Sequence, residues 1–140
     1  MEILRNDAAL LSNFEVLALL NDQRAQRQAN EVHGAREVAE NLRTIEFEVQ
    51  RYLNNSPCAT QDPEQIKNLK QAFAGYGLMK VEVLQILNLR PRTPVELVLI
   101  IEEFEERFSV EDCEKMLELI TTALPRDDDE VMEEAEEVEQ

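Results

Sequence analysis

Four short signatures divide the chain into helices. Ser12-Asn13-Phe14-Glu15, Asp62-Pro63-Glu64-Gln65, Thr93-Pro94-Val95-Glu96 and Ser109-Val110-Glu111-Asp112 each place a small oxygen-bearing side chain three residues before a carboxyl or amide group. At that spacing the first side chain accepts a hydrogen bond from an otherwise unpaired amide of a helix's opening turn, and the later one reaches back to the N–H of the cap. Pro63 and Pro94 occupy the first helical position, where no amide hydrogen is needed.

Stop signals follow at matching distances. Gly75 and Gly77 close the helix that begins at Pro63, because glycine adopts the left-handed conformation that ends a helix. Asn88 to Pro91 closes the next, since the residue before a proline is pushed out of the helical region, and Leu124-Pro125 closes the last. The apolar spacing agrees. Leu42, Ile45, Val49, Tyr52 and Leu53 make one stripe, Ile66, Leu69, Phe73 and Tyr76 a second, and Val110, Cys113, Leu117, Ile120 and Leu124 a third. Leu97-Val98-Leu99-Ile100-Ile101 would also suit a buried strand, but no second strand-like run exists to pair with it, and the Thr93 box starts a helix there. The expectation is an all-α chain with helices near 13–31, 36–54, 63–74, 79–89, 94–106 and 110–123.

Three regions follow. Residues 1–35 read as an N-terminal helical arm for partner docking, 36–125 as a helical domain of five short helices, and 126–140 as an acidic disordered tail. The arm is apolar on too many sides: Phe14, Leu17 and Ala18 share one helical face, and Val16, Leu19 and Leu20 another. Such a helix needs cover on more than one side, supplied by its own bundle or by a partner. Leu11, Phe14, Val16, Leu17 and Leu20 are the candidate partner-binding residues.

Charge decides which partners suit the chain. It carries 30 acids against 14 bases, and nine of those acids lie between Arg126 and Gln140, where like charges repel and little can be buried. Lys67 to Arg92 holds five bases and one acid, whereas Thr93 to Glu118 holds nine acids and two bases. A protein that grips a phosphate backbone unaided is basic overall, which this chain is not. Lys67, Lys70, Lys80, Arg90 and Arg92 are the only candidates for contact with RNA or a protein factor, against the plainer reading of solvated helix faces. The arginines of the Arg90–Pro94 turn could also cover carbonyls at the preceding helix end. No apolar run exceeds five residues, whereas a spanning helix needs about 20, so no membrane helix is expected.

Catalytic inventory is thin. A single histidine, His33, provides no nucleophile–base arrangement, and His33, Cys58 and Cys113 lack the spacing of a zinc site. Three glycines make no phosphate loop. The Glu102, Glu103, Glu105 and Glu106 cluster reads as a solvated helix face rather than an acid–base pair. No enzyme activity, cofactor or metal is expected.

The wording of three segments adds to this. Leu11-Ser12-Asn13-Phe14-Glu15-Val16, Leu87-Asn88-Leu89-Arg90-Pro91-Arg92-Thr93-Pro94-Val95-Glu96-Leu97 and Glu102-Glu103-Phe104-Glu105-Glu106-Arg107-Phe108 resemble the small stalk subunit of RNA polymerase III. That family, also called calcitonin-gene-related-peptide receptor component, is related to the small stalk subunit of RNA polymerase II and its archaeal equivalent. The resemblance implies a nuclear, non-catalytic protein with an HRDC-like helical domain, whose arm forms a heterodimer with the larger, β-barrel-bearing stalk subunit. It also implies association with the polymerase core near exiting RNA, engagement of initiation factor IIIB and help in promoter opening. The alternatives are the equivalent polymerase II subunit, a free-standing helical nucleic-acid-binding module, and a membrane-associated signalling adaptor. The last finds no support in a chain without a lipidation signal.

Overall fold

The computed structural model describes residues 9–31 and 39–126; His33 and the expected disordered tail after Arg126 lie outside them. Among the described residues every regular element is helical. The order is α1 (Asn13–Glu31), α2 (Glu40–Asn54), a 3-10 turn (Pro57–Thr60), α3 (Pro63–Ala72), a second 3-10 turn (Phe73–Gly75), α4 (Lys80–Leu89), α5 (Pro94–Ile100), α6 (Phe104–Arg107) and α7 (Val110–Ala123).

All four capping signatures form their bonds. The Glu15 amide donates to Ser12 Oγ at 3.2 Å while the Ser12 amide donates to Glu15 Oε2 at 2.7 Å. Asp62 accepts from the amides of Glu64 and Gln65, and the Thr93–Glu96 and Ser109–Asp112 pairs are reciprocal in the same way. The start of α4 uses a device without a small polar cap: the Met79 amide donates to Glu82 Oε2 at 2.7 Å.

One predicted helix is corrected. The span 94–106 breaks into α5 and α6, with Ile101 extended and Glu103 left-handed at φ 52. The cause lies 20 residues earlier. The Glu102 amide, instead of continuing the helix, donates to Glu82 Oε1 at 3.2 Å.

The backbone divides into two compact units, Met1–Ala59 and Thr60–Gln140. Helix α2, expected with the second region, falls in the first. There α1 and α2 run antiparallel, as the paired positions show: Leu17 packs with Leu53, Asn21 bonds Gln50, and Arg27 bonds Glu46. Cys58 completes this small core, with Phe14, Val16 and Val49 against it.

The second unit is built around α7, which packs on α3 and α5, while α4 packs on α5. Leu69, Ile86, Leu87, Leu97, Met116, Ile120 and Leu124 are its most deeply buried side chains. The third predicted stripe is half right: Cys113, Ile120 and Leu124 are buried, but Val110 is 76% exposed, Leu117 is half-buried, and Met116 takes the innermost place. Phe73, Tyr76, Phe108 and Phe104 form a chain of ring contacts with centroids 5.3–6.3 Å apart, the edge-to-face and tilted range that aromatic pairs favour.

Candidate functional site

The α1–α2 pair leaves much of its apolar surface open. Along α2, Leu53, Glu46 and Gln50 face the seam with α1, and Leu42, Ile45, Val49 and Tyr52 fall beside them on one helical stripe. Leu42 is 45% exposed, Ile45 61% and Tyr52 71%, with only Val49 half-buried; Phe47 is exposed on another side. The spacing of this stripe marks it as a contact face, and the first unit does not cover it. A run of large apolar side chains left in water along one helix is the usual mark of a protein-binding surface.

The five candidate arm residues part company here. Leu17 is buried against Leu53 and Cys58, so α2 supplies part of the cover that α1 requires. Phe14, Val16 and Leu20 are half-buried and Leu11 is 48% exposed. Leu10 and Leu19, not among the candidates, are exposed as well. Sequence periodicity located α2's stripe but assigned it to the chain's own core, since a pattern reports which face is apolar and not what lies against it.

Polar contacts fix how the two helices sit. Arg27 forks onto both oxygens of Glu46, with Nη2 to Oε1 at 2.7 Å, and Gln50 donates to Asn21 at 3.1 Å. The Arg27 bond holds the Glu46 carboxyl below its ordinary range, and Arg27 in turn is raised. These bonds set the register that presents the stripe.

The basic candidates separate too. Lys67, Lys70 and Lys80 are exposed, and Arg92 is half-buried. Arg90 is a correction: only 3% exposed and left-handed at φ 47, it turns inward, and its Nε donates to the Leu124 carbonyl. It closes the end of α7, not the preceding α4, and is not placed to touch RNA.

A well-connected charge that sequence patterns did not single out is Glu82. Its side chain is 4% exposed and accepts from Arg107 at 2.6 Å and from the amides of Met79 and Glu102. Burial pushes this carboxyl up, but Arg107 and the two amides outweigh it, and the net direction is down. Cys58 and Cys113 are buried free thiols, and burial pushes the Cys113 thiol up, away from the reactive thiolate. These groups serve architecture rather than chemistry. No helix of the described residues is long and apolar enough to cross a membrane.

Comparison with known proteins gives a concordant result. The family model described as RNA polymerase Rpb4 matches residues 10–124. The chain is 37% identical over 129 residues to the DNA-directed RNA polymerase III subunit rpc9 of Schizosaccharomyces pombe, covering 89% of this chain and 100% of that relative. It is 31% identical over 140 residues to the protein of the same name in Dictyostelium discoideum, covering 92% of this chain and 98% of the relative.

Proposed function

Because the chain belongs to the RNA polymerase Rpb4 family, we propose that it works in the nucleus as the small, non-catalytic stalk subunit of RNA polymerase III. In this reading the 1–35 arm together with α2 serves partner docking, the helices from residue 60 to 125 form an HRDC-like domain, and 126–140 are an acidic tail. The protein forms a heterodimer with the larger stalk subunit, associates with the polymerase core, engages initiation factor IIIB and helps open promoters. The polymerase III assignment rests on the two relatives named for it.

The observation that carries the heterodimer is the open stripe of Leu42, Ile45 and Tyr52. Together with Leu11 and the half-buried Phe14, Val16 and Leu20, it forms the surface that the larger subunit covers. Burying such side chains contributes roughly 25 cal/mol per Å2 of apolar area, and a few large anchors dominate an interface. Ile45→Asp with Tyr52→Asp is expected to weaken the heterodimer at least about 100-fold, since two buried anchors at about 2 kcal/mol each exceed that factor. The melting of the free chain should barely change, because both side chains are exposed in it. Co-purification and calorimetric titration with the larger subunit check this, and unchanged affinity would refute the assignment.

Lys67, Lys70, Lys80 and Arg92 are assigned to contact with exiting RNA or a factor. Reversing the three lysines to glutamate is expected to abolish any salt-sensitive RNA binding by the heterodimer, read by filter binding across a salt series. Binding that survives the triple reversal would remove RNA from this surface.

A further inference from the structure

Helix α5 carries a second apolar face that the stalk reading does not use. Val95, Val98 and Leu99 fall at i, i+3 and i+4, one side of a helix. They are 69%, 39% and 81% exposed, while Leu97 on the opposite side is fully buried. Scattered exposed leucines are ordinary, but three large aliphatic side chains together on a seven-residue helix are not.

Charge identifies what suits this face. Glu96, Glu102, Glu103, Glu105 and Glu106 are all exposed, and all lie on α5 or in the short segment that follows it. The only cation between Thr93 and Phe108 is Arg107, and its guanidinium is committed to Glu82, with Nη1 also donating to the Glu102 carbonyl at 3.0 Å. Glu96 lies on α5 itself, about 60° round the helix from Leu99, and the break at residues 101–103, where the Glu102 amide bonds Glu82, puts the other four acids directly after the helix in the chain. The face is therefore aliphatic, with Glu96 beside it and a run of four exposed acids following it in the chain.

We propose that the Val95–Val98–Leu99 face docks an amphipathic segment of a partner protein, with apolar residues at its centre and lysine or arginine at its margin. A second copy of this chain is a poor occupant, because pairing the face with itself sets the same carboxylates against one another. An anionic lipid surface is excluded by the same sign of charge. The face lies in the second unit, and its assignment does not depend on the stalk heterodimer.

The test uses the full chain and two synthetic helical peptides of about five turns with the same leucine face, one with a lysine margin and one with glutamate. Fluorescence anisotropy should show binding of the lysine peptide and none of the glutamate peptide. Val95→Ser with Leu99→Ser should weaken it at least about tenfold, whereas Ile45→Ser with Tyr52→Ser on the other open stripe should leave it unchanged. A rim variant keeps the test independent of any change in folding: Glu102→Lys with Glu105→Lys retains the apolar face and should shift preference to the glutamate peptide. The proposal fails if the Val95/Leu99 variant binds as the parent does, if only the Ile45/Tyr52 variant loses binding, if the rim variant keeps the original preference, or if sedimentation shows a dimer that Leu99→Ser dissolves.

Discussion

Glu82 ties together three places that are far apart in the chain. One carboxylate starts α4 through Met79, ends α5 through Glu102 and holds Arg107 at the end of α6. Removing Arg107 leaves that carboxylate with only its two amide partners, and Arg107→Ala should lower the stability of the chain, by less than the loss of a fully buried pair because the guanidinium is partly open to water. Chemical denaturation of the two proteins measures this. The pH dependence has a defined sign. The folded state holds Glu82 below its ordinary range, so its stabilisation is complete above the ordinary glutamate value and is lost as pH falls through the depressed folded value. The parent should thus lose more stability than Glu82→Gln on acidification below about pH 4.3, and parallel curves would contradict this account. Arg90 is a different case: positioned by a left-handed backbone before Pro91, it closes the carbonyl end of α7 rather than reaching outwards.

Helix α7 shows where a stripe and its burial diverge. Its sequence places Leu117 in the apolar series, but Met116 is completely buried and Leu117 only half so. Met116→Ala should cost about 2–5 kcal/mol by leaving a cavity, and Leu117→Ala distinctly less; thermal melts of the two variants side by side decide the order. Signals confined to a few residues could be read directly from the chain. The boxes at Ser12, Asp62, Thr93 and Ser109 all closed as their spacing required, because each depends only on residues three apart. What depends on distant residues could not be read this way. The split of 94–106 is imposed by Glu82, and the openness of α2's stripe depends on what fails to cover it. The expected span 79–89 meets the α4 start to within a residue, but its cap could not be read, because the bond is made by a methionine amide with no small polar side chain to mark it.

Taken whole, the chain combines a strong charge imbalance with two separately built units. Thirty acids against 14 bases give a formal charge of -16, and self-repulsion of that size opposes compaction. Raising salt from about 0.05 to 0.3 M shortens the Debye length from about 14 to 6 Å, and should raise the melting temperature by a few degrees even though it weakens the Arg27–Glu46 pair. A fall in melting temperature with added salt would mean that favourable ion pairs outweigh the repulsion.

The α1–α2 hairpin has one greasy end, where Leu17 meets Leu53 and Cys58, and one polar end, closed by Arg27 and Glu46. Water competes well for the polar clasp and poorly for the apolar one, so a helix pair held at both ends in different ways should lose its hold first at Arg27 and Glu46, and amide exchange along α1 should be slowest around Leu17.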